Sequence, residues 1–275
     1  MLKVHILTDN RAHKRGMLAE HGLSLWIEKD NTKILFDTGQ SSVYSHNASI
    51  LGIDLTSADY IVLSHGHYDH CGGLEYYLPK EKIPCVYAHP DIFLHKFAVD
   101  DKGTLSKIGP SWDIKSLGWL KERVVHIREP LLIEPGVLIA GEIPRTNNFE
   151  EVSKKFWLKR NGVMVRDTFL DELMLIIEEE KGVAVFLGCS HPGVVNCLEY
   201  VKKLFPKKDI LLLVAGMHLA NANRLHLQKT IQIFIDLQVQ KVVPLHCTGI
   251  MQICEMKHFL GDRCQICSIG DYIEL

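Results

Sequence analysis

The chain has 275 residues, 47% of them hydrophobic and 23% charged, and its 31 basic and 33 acidic side chains leave a formal net charge of −2. That length and balance allow one large domain or two small ones with a sizeable core, and exclude a disordered chain and the basic footprint of a nucleic-acid binder. No apolar run approaches the roughly 18–20 residues that span a membrane, and the N-terminus lacks a signal-peptide pattern, so a cytoplasmic protein without a membrane partner is expected.

In chain order, residues 1–6 read as a strand, and residues 23–39 alternate apolar and polar side chains around an Asp30-Asn31 turn, the pattern of a β-hairpin. A helix over about 42–51 and a buried strand over 60–63 follow. Residues from about 90 to 150 match no repeat and read as an insertion of mixed structure able to overhang a site. Residues 173–191 repeat the hairpin around Lys181-Gly182, and a helix (194–205) and a buried strand (210–214) again follow. Residues 223–237 predict a helix, 241–245 a strand and 250–259 a helix. Two β-β-α-β units therefore predict an α/β protein with two sheets, helices outside, and chemistry in loops at the strand ends. The eight cysteines are expected to be reduced and mostly buried, including Cys264 and Cys267, whose C-x-x-C segment alternates like a strand.

The run His65-Gly66-His67-Tyr68-Asp69-His70 begins at the C-terminal end of the strand over 60–64. H-x-H-x-D-H is expected by chance in only about three sequences per thousand of this composition, so it is read as a metal site. Gly66 lets the backbone bend so that His65 and His67 converge on one ion. Asp69 and His70 lie further around the turn and can face a second ion, roughly 3.5–4 Å away. Imidazole with carboxylate suits Zn²⁺, as one or two ions, with Fe or Mn as competitors. His191, His218 and His246 each follow a buried-strand candidate. His191 and His246 are expected as further ligands; His218 is either a ligand or a substrate-facing histidine. His5, His13, His21, His46, His89, His95 and His126 read as surface or packing residues.

Asp37 in Leu35-Phe36-Asp37-Thr38-Gly39, the H-x-H-x-D-H run, His191 and His246 occur in the order seen in the metallo-β-lactamase superfamily. The chain resembles that family over nearly its whole length outside 90–150. The resemblance implies a single domain, 1–275, folded as a four-layer αβ/βα sandwich of two similar halves with a dinuclear metal site between its sheets. It implies His65, His67 and His191 on one metal, Asp69, His70 and His246 on the other, and Asp37 hydrogen-bonded behind them. One position departs from the pattern. Where the superfamily usually supplies a bridging Asp, this chain has Ala215-Gly216-Met217-His218-Leu219, which leaves Asp69 as the only anionic ligand in that set.

Gly141-Glu142-Ile143-Pro144-Arg145, Gly188-Cys189-Ser190-His191, Gly216-Met217-His218-Leu219 and His246-Cys247-Thr248-Gly249 narrow the match. They resemble a subgroup labelled as dihydropterin-ribofuranosylaminobenzene-phosphate synthases or simply as metal-dependent hydrolases. The expected function is hydrolysis of a small anionic ester, lactone, amide or phosphoester by a metal-bound hydroxide. Asp69 would take the water's proton, His218 would stabilise the oxyanion, and Arg145 and Ser190 would hold an anionic group. Two alternatives stand beside it: a methanopterin-pathway synthase acting on a phosphoribosyl substrate, and an iron-containing oxidoreductase on the same fold. No Gly-x-Ser-x-Gly elbow is present, which disfavours serine catalysis. The sequence carries no statement of oligomeric state.

Overall fold

The computed structural model describes every residue from Met1 to Leu275 and opens with three antiparallel strands, β1 (Leu2–Thr8), β2 (Ser24–Lys29) and β3 (Thr32–Phe36). Helix α1 (Val43–Ile50), strand β4 (Tyr60–Val62), the single-turn helix α2 (Tyr68–Cys71) and strand β5 (Cys85–Ala88) follow. Then come β6 (His95–Val99), β7 (Leu105–Lys107), β8 (Val124–His126), β9 (Leu131–Glu134) and β10 (Val137–Ala140). A hairpin of β11 (Phe156–Arg160) and β12 (Val163–Arg166) precedes β13 (Met174–Glu179) and β14 (Gly182–Leu187). The rest alternates: α3 (Val194–Leu204), β15 (Asp209–Gly216), α4 (Arg224–Asp236), β16 (Lys241–Leu245), α5 (Ile250–Leu260), β17 (Tyr272–Glu274). No helix is long and apolar enough to cross a membrane.

These elements divide between two units. Unit 1 (Met1–Ile127, Ser153–Asp171, Ser268–Leu275) holds a seven-stranded sheet, β17-β1-β2-β3-β4-β5-β8, and a four-stranded one, β12-β11-β6-β7. Strands β3, β4, β5 and β8 run parallel. Leu25, Trp26 and Ile27 in β2 and Ile34, Leu35 and Phe36 in β3 are all buried, so both faces of this sheet are covered. Trp26, Leu35, Tyr44, Ile61 and Leu63 belong to one apolar cluster, each such side chain contributing about 1.5–3 kcal/mol by burial.

Unit 2 (Arg128–Val152, Glu172–Cys267) is built on a six-stranded sheet, β16-β15-β14-β13-β10-β9. All six residues of β14 are buried, as a strand between parallel and antiparallel neighbours requires. Helices α3 and α4 make the crossovers to the parallel strands β15 and β16. Val195, Leu198, Leu213 and Phe234 share a second cluster. The internal repeat is thus β2-β3-α1-β4 in unit 1 and β13-β14-α3-β15 in unit 2.

Several expectations shift in detail. The first hairpin turns at Asp30, which takes a left-handed φ of 52°, but the second turns at Glu180-Lys181, because Gly182 already pairs with Glu179. The segment from 90 to 150 builds sheet in both units: β6, β7 and β8 in unit 1, β9 and β10 in unit 2. Cys264 makes only a single bridge to Val242, so its C-x-x-C segment is not a strand. The sequence reading also passed over the β11–β12 hairpin. Its Asn161-Gly162 turn, with φ of 51° and 83°, is a strong short-range hairpin signal.

Helix α3 starts at Gly193, which has no side chain to cap the helix. The buried Glu150 carboxylate supplies the cap, accepting from the Val195 N–H at 2.9 Å and the Asn196 N–H at 2.8 Å. At φ 106° a Cβ on residue 193 would run into Glu150, so only glycine fits there. This junction sets the entry of α3 two residues after His191.

Candidate metal centre

Of the polar residues singled out by the motif reading, Asp69 and His70 lie in α2, Arg145 lies on the loop after β10, and the others follow strands. Asp37 follows β3, His65 follows β4, Ser190 and His191 follow β14, His218 follows β15 and His246 follows β16. Four of them hold left-handed backbone without being glycine: Asp37 (φ 58°), Ser190 (φ 55°), His218 (φ 48°) and His246 (φ 50°). Such conformations cost energy and persist where the surroundings over-determine them, which is characteristic of functional sites.

In unit 1, His65, His67, Asp69 and His70 are all at most 5% exposed. The His65 ring centroid lies 4.6 Å from that of His67 and 4.3 Å from that of His70, and Asp69 Oδ2 is 3.8 Å from His70 Nε2. Asp37, fully buried, organises them. Its Oδ1 accepts the Ser64 N–H at 2.7 Å, and its Oδ2 accepts from the Ser64 hydroxyl and from His70 Nδ1, both at 2.7 Å. A carboxylate only accepts, so His70 carries its proton on Nδ1 and turns Nε2 outward as the ligating atom. Ser64 Oγ, having donated to Asp37, lies 3.0 Å from His65 Nδ1 and accepts from it, which fixes the same tautomer there. Burial pushes the His67 pKa down to about 3, keeping that imidazole in the neutral, metal-binding form.

The loop between His65 and His67 rests on a buried ion triad. The Gly66 N–H donates to Asp171 Oδ2 at 2.8 Å, and Lys96 Nζ lies 2.9 Å from Asp171 and 2.6 Å from Asp167. Burial opposes the charge on Lys96, but the two carboxylates outweigh it and raise its pKa. Burial likewise opposes the charge on Asp171, and Lys96 outweighs it, holding that carboxyl below the usual range. Gly66 is needed for close packing rather than for a bend: its φ is not left-handed, and a Cβ would sit 2.7 Å from Ile92 O and 2.8 Å from Lys96 Cε.

In unit 2 the carboxylate next in sequence, Glu172, plays the matching part. Fully buried, it accepts the Ser190 N–H at 3.0 Å and the His191 N–H at 3.3 Å. Consecutive residues Asp171 and Glu172 therefore each hold one ligand-bearing loop, each within its own unit. The His191 and His218 rings are 4.6 Å apart, and a ligating atom of each of His191, His218, His246 and Cys247 lies within 4.8 Å of Cys189 Sγ. His191 and His246 are buried; His218 is exposed. Burial opposes charging the Cys247 thiol, but contacts from Cys189 and His218 outweigh it and lower its pKa.

Within each unit, then, the residues read as ligands from sequence stand together: His65, His67, Asp69 and His70 in one, His191, His218 and His246 in the other. Ser190 donates its hydroxyl to Gly216 O at 2.6 Å, and Arg145 is exposed on the loop after β10. Sequence reasoning missed Ser64, Lys96, Asp167, Asp171 and Glu172, and set His21 aside as a surface or packing residue. His21 Nε2 lies 3.2 Å from Asp69 Oδ2. Ser64 was findable as the polar residue between a buried strand and a ligand; a lone Lys96 in an apolar strand carries no such signal.

The donor chemistry fits a metal. Neutral imidazoles fixed by hydrogen bonds, a carboxylate and two thiols are the ligand types of Zn²⁺ and its neighbours. Comparison with known proteins agrees. The chain is 36% identical to an uncharacterized protein of Methanocaldococcus jannaschii, over 92% of this chain and 93% of that protein. It is 35% identical to the 7,8-dihydropterin-6-methyl-4-(β-D-ribofuranosyl)-aminobenzene-5′-phosphate synthase of the same organism, over 90% of this chain and 88% of the other. The crystal structure of Tm1679, a metal-dependent hydrolase of the β-lactamase superfamily, superposes with a TM-score of 0.87 at 29% identity, covering 100% of this chain and 99% of that one. A family model for the metallo-β-lactamase superfamily matches residues 18–203. With the mixed α/β sheets and the histidine-bearing strand ends already described, these matches show that the chain belongs to the metallo-β-lactamase superfamily and has its sandwich fold.

Proposed function

We propose that the chain is a metal-dependent hydrolase of small anionic esters, lactones, amides or phosphoesters, with its strand-end histidines as metal ligands. In this reading His65, His67, Asp69 and His70 are metal ligands in unit 1, and His191 and His246 are metal ligands in unit 2. The observation that carries it is the Asp37–Ser64 relay, which fixes His65 and His70 in the tautomer that metal binding needs. A bound Zn²⁺ supplies Lewis acidity and brings the pKa of water near 7.

The protein's own groups do the rest. Asp69 Oδ2 is the atom placed to take a proton from the attacking water, and the half-exposed His21, 3.2 Å away, passes it towards solvent. His218, exposed beside His191, ligates through one ring nitrogen and offers the N–H of the other to developing negative charge. Arg145, exposed on the loop after β10, supplies a cation for the anionic group. Ser190 holds the turn that carries His191 through its bond to Gly216 O.

A second reading, a synthase acting on a phosphoribosyl substrate, is favoured by the name of the 35%-identical Methanocaldococcus jannaschii relative. One assay separates the two. Metal-supplemented protein is offered esters, lactones and phosphoesters in parallel with a dihydropterin and a phosphoribosyl compound. Hydrolysis in the first set is expected; no hydrolysis there, with consumption of the phosphoribosyl compound, selects the synthase.

A further inference from the structure

The ligand set of unit 2 has a charge deficit that its cysteines are placed to fill. His191, His218 and His246 are neutral as ligands, and no carboxylate follows β15. Within unit 2, the Glu172 carboxylate is occupied by the N–H groups of Ser190 and His191. The groups in this set able to become anionic ligands are Cys189 and Cys247. Neither is in a disulfide.

Their placement is specific. The ligating atoms of Cys189, His218 and Cys247 all lie within 4.8 Å of one another, so small side-chain rotations would bring them to a common ion with bonds of about 2.0–2.3 Å. Cys247 Sγ receives the backbone N–H of His218 at 3.2 Å and lies 3.8 Å from Cys189 O. A Cβ on residue 216 would stand 3.0 Å from that sulfur, so Gly216 leaves the room the thiol occupies. His218 is held at φ 48° two residues beyond the end of β15, with its imidazole beside the two thiols.

We propose that Cys189, His218 and Cys247 bind a thiophilic divalent ion, Zn²⁺ by preference, as two thiolates and one imidazole. This rests on the metal-centred reading above and deepens it: sulfur replaces the carboxylate that the family pattern would place after β15. Binding releases the two thiol protons to solvent and forms two metal–sulfur bonds, which cancels the charge of the ion. Two cysteines and one histidine leave a fourth position open, as in zinc sites that act on substrates rather than brace a fold. Thiolate ligation selects zinc over magnesium or manganese.

The test is X-ray absorption on the full-length zinc-loaded protein, with cobalt-loaded protein for its near-ultraviolet thiolate-to-metal absorption. The expected result is zinc–sulfur scattering at about 2.3 Å. That scattering should fall by half in Cys189→Ser or Cys247→Ser, vanish in the double variant and persist in Cys254→Ser, whose cysteine is exposed on α5. Alkylation mapped by mass spectrometry makes the assignment on unaltered protein, should a variant fail to fold: zinc should shield Cys189 and Cys247 and leave Cys254 open. Zinc bound through nitrogen and oxygen alone, with no shielding, overturns this inference while leaving the hydrolase reading intact. No bound zinc at all overturns both.

Discussion

Replacing Lys96 by methionine is expected to destabilise unit 1 by about 3–5 kcal/mol, because it leaves Asp167 and Asp171 buried against each other without their counter-charge. Lys96 is fully buried and both carboxylates are nearly so, so water cannot take its place. In the variant each carboxyl would have its pKa raised, by burial and by the other's charge. A carboxyl raised in the folded state binds more protons there than in the unfolded chain. The deficit should therefore be small at acid pH, where both groups are protonated in both states, and grow as pH rises through the carboxyl pKa values. Denaturant unfolding at several pH values measures this; the triple substitution Lys96→Met, Asp167→Asn, Asp171→Asn should recover much of the loss. A pH-independent deficit would mean that the triad acts through packing alone.

The second large effect is on the metal. Asp37→Asn keeps an acceptor for the Ser64 N–H but offers His70 Nδ1 an amide that can only donate if Oδ1 keeps its present bond. His70 then shifts its proton to Nε2, the atom that should ligate. Metal affinity should fall about 10–100-fold, the usual cost of removing a residue that orients a ligating histidine. Competition against a chromophoric chelator gives the value. An affinity within twofold of the wild type would remove Asp37 from this role.

Much of this architecture was legible from residue patterns, for identifiable reasons. The hairpins and buried strands of the two repeats show in side-chain periodicity, since a strand buried on both faces has little freedom in composition: Val183 to Leu187 is apolar throughout. The ligand motif was legible because so many donors in six residues have few uses other than metal. What stayed hidden depends on contacts far apart in sequence. Gly66 and Asp171 are 105 residues apart and Lys96 and Asp171 are 75 apart, so neither the support of the H-x-H loop nor the buried lysine has a local signature. Gly66 itself looked like a hinge and proved to be a point of close packing. Cys189 and Cys247 each adjoin an expected ligand in sequence, but their meeting had no local sign: they are 58 residues apart and come together because β14, β15 and β16 lie side by side.

The central claim, that the buried histidines hold a metal on which turnover depends, is tested most directly by measuring metal content and turnover together. The samples are the native protein, the same protein after chelation, the chelated protein after zinc is restored, and the variant His65→Ala, His67→Ala. Turnover should disappear with the metal, return with zinc and be absent from the variant even in excess zinc. Full turnover by metal-free protein, or by the variant, would contradict it.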